Sequence, residues 1–401
     1  MLTVVVPTLT PGRAFAVTVF AFAITMMGTT LPTPMYTIYQ QRLGFSLSMS
    51  TVIFAAYALG VLLALLIFGR WSDVVGRRPM LLGGLAVALA SDVVFLTTDT
   101  DGQLIKGRVL SGISAGIFVG TATASVIENA PPAWRARAPY VATAANIGGL
   151  GLGPLVAGIL VEYASWPLHL AFWVHVVLTV VAAGLLWLVA ETVERVPGRR
   201  PGFQRLAVPA AARRTFIGAC VGGFAGFAVL GLFVAVSPRF VGQVLGISNS
   251  AVSGLTVSLV FAASIVAQIG LKALPTERAV NIGCSALIVG SLLIALSLAV
   301  ESFALLIVAA VVVGAGQGMS FSKGLASILA KIDTHQRAEV TSTFFVILYI
   351  AISLPVIGEG IAAQHWGLAD AGIAFSLSIA ALAVVALAII VSDQRRPQAT
   401  S

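Results

Sequence analysis

The sequence predicts an all-α membrane protein of about twelve spanning helices in two pseudo-symmetric six-helix bundles, and three observations predict it. Hydrophobic residues make up 58% of the chain and charged residues only 9%, against roughly 25% charged in a soluble domain. The apolar runs recur at about 20 residues, the length of a helix crossing a ~30 Å hydrocarbon layer, rather than as the ~10-residue alternating segments of an outer-membrane barrel. Basic residues collect in alternate loops, as a fixed membrane topology demands.

Taken in order, spans are expected near 14–38, 48–69, 80–98, 103–127, 138–160 and 167–190. A polar, basic segment from Glu191 to Arg214 follows, then spans near 215–237, 249–270, 279–300, 303–330, 338–363 and 367–392. The expected organisation is therefore a first bundle over 1–190, a linker over 191–214 and a second bundle over 215–401. The first run follows Arg13 with no small-residue cleavage site, so it reads as a retained span. One set of loops holds Arg13, Arg70, Arg77, Arg78, Arg135, Arg137, the linker's Arg195, Arg199, Arg200, Arg205, Arg213 and Arg214, then Lys272, Arg278, Lys331, Arg337, Arg395 and Arg396. The other set holds only Arg42 and Arg239, with Asp99, Asp101, Glu162, Glu301 and Asp370. That asymmetry predicts both termini and the linker on the cytoplasmic side of a cell membrane. The linker, with Pro197, Gly198, Pro201 and Gly202, is too polar to cross.

The composition also excludes function classes. A net charge of +8 placed in loops between spans is a topology signal rather than a nucleic-acid surface. Cys220 and Cys284 both lie in apolar runs and read as small buried hydrophobes. A Walker-type GxxxxGK[ST] and metal-spaced His or Cys are lacking, so no enzyme, metal or cofactor is expected, and energy must come from ion gradients. Two sets of six spans suit a duplicated unit in which a substrate site lies at mid-membrane between halves that rock.

The segment GRWSDVVGRRP, Gly69 to Pro79, puts one acid and three arginines between two long apolar runs, and so must form a short loop at the membrane surface. Gly69 and Gly76 permit tight turning, while Asp73 can accept from a helix N-terminus or pair with arginine. Gly69, Asp73, Gly76, Arg77 and Arg78 resemble the signature loop of the major facilitator superfamily, with Ser72 where a small residue is common. The resemblance implies a conformational latch between the end of the second span and a helix of the other half, holding the outward-facing state. The copy expected after the eighth span, around Gly270 to Arg278, keeps Lys272, Glu277 and Arg278 but not the pattern.

The fourth span opens with Leu104, Arg108, Ser111, Gly112, Ser114 and Ala115, which resembles the superfamily's fourth-helix motif with serine for the usual glutamine. Arg108 lies ~9 Å inside the boundary, where a charge is expensive unless it faces a cavity or a partner. Substrate or proton coupling is one reading, and a structural ion pair or snorkelling the other. Asp92 lies at similar depth. Lys106 and Arg108 are two apart, about 200° around the helix, so only one is expected to meet Asp92. Lys106 is paired with Asp92 on this reading, leaving Arg108 for the cavity.

The fifth span carries Gly149, Gly153, Pro154, Ala157 and Gly158, giving GxxxGPxxAG. It resembles the motif of the superfamily's proton-coupled drug exporters, with alanine for one glycine. Glycines let a facing helix approach closely, and Pro154 removes one backbone bond. The first span ends in LPTPMYTIYQ, where Tyr36 and Tyr39 suit an interface or a cavity mouth. It has no intramembrane acid, unlike the exporters' first helix, which leaves the best-known proton position empty.

Among the other membrane charges, Lys323 is either a snorkelling anchor or a cavity residue, and Glu359, after Pro355, is a possible proton site. His169 and His175 are expected to pack rather than relay protons. Gln317 with Tyr57, Phe118, Phe224, Phe227, Phe344, Phe345 and Tyr349 could line a cavity for a lipophilic compound.

The resulting expectation is a monomeric secondary transporter in the inner membrane, exchanging protons for a small lipophilic compound such as a drug or toxic metabolite by alternating access. Its partners are that compound, protons and membrane lipid, with no nucleic acid. A richly charged cavity would favour a sugar or amino acid instead. A non-transporting sensor would have lost the latch residues or gained a cytoplasmic domain.

Overall fold

The computed structural model describes residues 9–193, 202–333 and 336–395. The linker positions Arg195, Pro197, Gly198, Arg199, Arg200 and Pro201, and Arg396 near the end, lie outside them. Among the described residues there is no strand, and twelve helices are long and apolar enough to cross a membrane. Their bounds fall within a few residues of those expected, because runs of Leu, Ile, Val, Ala and Phe can satisfy their backbone in hydrocarbon only as helix.

The first span is α1 (Pro11–Thr30), a 3-10 turn at Thr33–Met35 and α2 (Tyr36–Leu43), the break falling where Pro32 and Pro34 withhold backbone donors. α3 (Leu47–Phe68) is the second span. The loop after it is not irregular throughout. Ser72–Val75 form a turn of helix, α4, and Arg77 and Arg78 are already the first residues of α5 (Arg77–Leu96). α6 (Asp101–Glu128) starts on a capping box of Thr100 and Gln103, and α7 (Ala138–Tyr163) and α8 (Leu170–Trp187) follow.

The second series is α9 (Arg213–Ala235), the single turn α10 (Ser237–Arg239), α11 (Ser250–Gly270), α12 (Thr276–Ala299), α13 (Phe303–Leu329), α14 (Arg337–Trp366) and α15 (Leu368–Gln394). Asn249 and Ser302 cap α11 and α13 through their side-chain oxygens, each satisfying one otherwise orphaned N–H. α14 runs through Pro355 without ending.

The chain divides into two compact units. One contains the chain to Met35 and Ala56–Gln204; the other contains Tyr36–Ala55 and the chain from Arg205. In the first, α1 packs on α6, α7 and α8, and α5 on α6 and α8. The seams are made of small residues. A side chain at Gly149 would meet the Ala23 carbonyl and Met26, and one at Gly112 the Tyr57 carbonyl, so these glycines set the helix separation, as close packing in a membrane requires. In the second, α9 packs on α13, α14 and α15, and α12 on α13 and α15. One of its apolar clusters includes Phe216, Cys220, Ile328, Phe344 and Leu348.

Candidate functional site

The signature segment is a charged clamp inside the first unit. Arg77 donates from Nη1 to Asp73 Oδ1 and Ser72 Oγ, each at 2.6 Å, and from Nη2 to Glu128 Oε1 at the end of α6, at 3.0 Å. The carboxylate of Glu191 accepts the backbone N–H groups of Arg77 at 2.8 Å and Arg78 at 3.0 Å, so it caps the start of α5 where the helix dipole favours an anion. Gly76 makes this possible: its φ of 113° disfavours any side chain, and one placed there would collide with the Glu191 carboxylate. Arg78 reaches the carbonyls of Trp187, the last residue of α8, and Val189 just beyond it, both at 3.3 Å. Gly69 lies beside Gln204.

Glu128 and Glu191, neither of them singled out from the sequence, therefore hold the clamp. The signal was available, since both acids fall in the loop set that gathers the arginines. Every partner of Asp73, Arg77 and Arg78 given above lies in the first unit, whereas the resemblance implies a partner helix in the other half.

Arg108 is 2% exposed. It donates from Nη1 to the carbonyl of Thr29, near the end of α1 where carbonyls run short of intrahelical donors. Its guanidinium lies 4.7 Å from the ring centroid of Tyr57, a cation–π distance.

Asp92 does not pair with Lys106, which is exposed. Its partner is His175 of α8: Nδ1 lies 2.7 Å from Asp92 Oδ2, and Nε2 lies 3.0 Å from the Ile24 carbonyl. Both side chains are buried. Depth along the membrane was the wrong guide, because Lys106 points out of the bundle while a carboxylate buried in the bundle must find a donor there. Gly28 gives the imidazole its room, since a side chain at that position would overlap the ring.

The exporter-like motif of α7 faces α1. Pro154 cannot donate to the carbonyl four residues before it, that of Leu150. Thr30 Oγ1 of α1 donates to that carbonyl instead, at 2.8 Å. Gly153 lies against Thr30 Oγ1 and the Met27 carbonyl, and Gly149 against the Ala23 carbonyl. Gly158 is buried in the same helix.

In the second unit Gln317 accepts from Ser264 Oγ through Oε1 at 2.7 Å, and Ser264 Oγ accepts from Gln268 at 3.0 Å. Phe227 packs on Phe321 and Phe345 on Tyr349. Tyr36 and Tyr39 are both 2% exposed. Arg239, which the sequence offered only as a loop charge, is 1% exposed and donates to Gln40 Oε1 at 2.9 Å and Ser50 Oγ at 2.7 Å. Lys323 donates from its ammonium to the carbonyls of Lys272 and Leu274, in the turn between α11 and α12.

Glu359 is 3% exposed, and neither carboxyl oxygen has a hydrogen-bond partner among the described residues. It stands on the wall of a cavity of about 370 Å³ with Phe224, Pro355, Trp366, Phe375 and Leu382. Among the described residues no cluster of three or more His, Cys, Asp or Glu could hold a metal.

A family description, Major Facilitator Superfamily, matches residues 18–356. The chain belongs to the major facilitator superfamily. It is a multi-pass membrane protein. Among curated relatives it is 31% identical over 189 residues to an uncharacterized MFS-type transporter of Mycobacterium tuberculosis (strain ATCC 25618 / H37Rv), covering 45% of this chain and 27% of that protein. It is 28% identical over 192 residues to the putative multidrug resistance protein MdtD of Salmonella typhi, covering 47% of this chain and 40% of that one. The match thus spans less than half of either relative's length. In fold it is similar to a peptide transporter POT variant crystallised with sulfate, with a TM-score of 0.76 at 15% identity over 95% of this chain and 94% of that one. It is also similar to the human organic anion transporter MFSD10 (TETRAN), with a TM-score of 0.67 at 17% identity over 95% of this chain and 99% of that one.

Proposed function

We propose that this transporter exports a small lipophilic compound across the cytoplasmic membrane in exchange for protons, by alternating access. The observation that carries the reading is Glu359, a buried acid without a bonding partner on the wall of an aromatic, apolar cavity. A carboxylate with no donor is costly in such surroundings, so the side chain is neutral there and ionises only where water reaches it. That is the behaviour of a proton carrier, and the Phe224, Trp366 and Phe375 walls suit a lipophilic compound. The α7 motif and the putative multidrug resistance relative support the same direction.

On this reading Asp73, Gly76, Arg77 and Arg78 act as the latch on the cytoplasmic side, and Arg108 couples protonation to the compound. A growth-inhibition panel across toxic compounds, with and without the expressed protein, selects a compound. Everted vesicles then test the exchange. Adding that compound to vesicles holding an acid interior is expected to release protons from the gradient, and Glu359→Gln to abolish the release. Movement of the compound with no proton release would overturn the reading.

A further inference from the structure

We propose that Asp92 and His175 form a proton-binding site of the first unit, taking up and releasing one proton as a pair. The inference rests on the proton-coupled reading above and names a site for a coupling proton other than Glu359.

The argument is a count of hydrogens. The Ile24 carbonyl can only accept, so His175 Nε2, 3.0 Å away, carries a hydrogen. Across the 2.7 Å from Nδ1 to Asp92 Oδ2 one of the two atoms must also carry a hydrogen, because two lone pairs at that distance repel. Imidazolium with carboxylate, or neutral imidazole with carboxylic acid, satisfies the geometry equally. Both hold one proton more than a neutral imidazole facing a bare carboxylate. The pair is therefore in its loaded, net neutral state. Releasing the proton to water leaves the net charge of the pair at minus one and one ring hydrogen for two contacts: it stays on Nδ1 toward the Asp92 carboxylate, and the bare Nε2 gives up Ile24 and can accept from Thr179 Oγ1, 3.5 Å away.

The surroundings accept that proton's carrier. A cavity of about 10 Å³ adjoins the pair, lined by Thr25, Thr29, Ser91, Ser111 and Ser114 among others, with room for about one water. Each of those five hydroxyls already gives its hydrogen to a main-chain carbonyl, of Ala21, Met26, Gly107, Arg108 and Gly84 respectively. Their free lone pairs, like Asp92, can only accept. Such a lining favours a water or hydronium that donates to it.

Few other charges face the pair. Of the helices packed against it, α1 carries Arg13, which is exposed, and α5 carries Arg77 and Arg78 in its first turn. α6 carries Asp101, exposed Lys106, Arg108 and Glu128, and α7 carries exposed Glu162. Arg108 alone among these is buried at the same stretch of α1, on Thr29, five residues beyond the carbonyl that His175 holds. Loss of the proton places a negative charge where Arg108 can answer it, and α1 is the helix both side chains grip.

The test is a ¹⁵N-histidine NMR titration of the full-length protein in lipid nanodiscs. The chain has four histidines, and His175 is assigned as the resonance pair missing from His175→Gln. Between about pH 5 and about pH 8, His175 is expected to pass from a ring with a hydrogen at both contacts to an Nδ1–H tautomer with bare Nε2. Asp92→Asn is expected to abolish the transition, and Asp92→Glu to restore it. A His175 spectrum unchanged over that range would show a static structural tie and overturn the proposal, as would Asp92→Asn titrating like the wild type. The wild-type titration decides even if Asp92→Asn fails to fold. Everted vesicles separate the two readings: a wild type that moves its compound without protons sinks the exchange reading while the titration stands on its own. A coupled wild type matched by an equally coupled Asp92→Asn sinks the coupling role of the pair alone.

Discussion

At the scale of single residues, the side chains with the clearest work are those that answer an orphaned backbone group. Glu191 satisfies two N–H groups at the start of α5 and stands against Gly76. Glu191→Ala is expected to cost about 1–2 kcal/mol, seen as a lower midpoint of thermal unfolding in detergent. Thr30 satisfies the carbonyl that Pro154 leaves open. Thr30→Val keeps the shape and strands that carbonyl, at a cost of about 1–3 kcal/mol, while Thr30→Ser should stay near the wild type in the same melt. Neither role was legible in the sequence, because Thr30 and Leu150 lie 120 positions apart, and only the fold brings such a donor to its carbonyl. The same holds for Asp92. Its depth was correctly read as intramembrane, but depth does not choose between an exposed lysine and a histidine on another helix.

At the scale of elements, the α1–α7 seam was the most legible feature. The spacing of Gly149, Gly153 and Pro154 announced a close helix approach, and α1 is the helix that approaches. A methyl group at Gly153 would press on the Met27 carbonyl and Thr30 Oγ1. Gly153→Ala is therefore expected to destabilise by about 1–3 kcal/mol through overpacking, measured by the same unfolding midpoint, and Gly149→Leu to prevent accumulation of folded protein. The boundaries of the twelve spans were also readable, since in hydrocarbon the helix is the only structure a lone apolar run can adopt. The charged segment after α3 was readable as a cluster but not as helix. Arg77 and Arg78 start α5 because Glu191, far along the chain, supplies the anion its N-terminus lacks.

At the scale of the whole molecule, composition and loop charge were enough for the class: a chain with 58% hydrophobic residues and arginines in alternate loops has few other options. Function was less legible, because the proposed exchange turns on buried acids whose partners are set by packing. Glu359 stood out in the sequence as an intramembrane charge, but its burial without a hydrogen-bond partner among the described residues, beside an apolar cavity, is visible only in the fold. Arg108→Ala is expected to leave the protein folded and to lower proton-driven export at least about tenfold, the scale of one lost coupling interaction of ~1.4 kcal/mol. The most direct measurement uses purified protein in liposomes with a compound chosen by the growth panel. An imposed pH gradient alone, with no other energy source, should drive the compound uphill, and a proton-exchanging ionophore should stop it. Uphill accumulation that persists after the gradient is collapsed would contradict proton-coupled export.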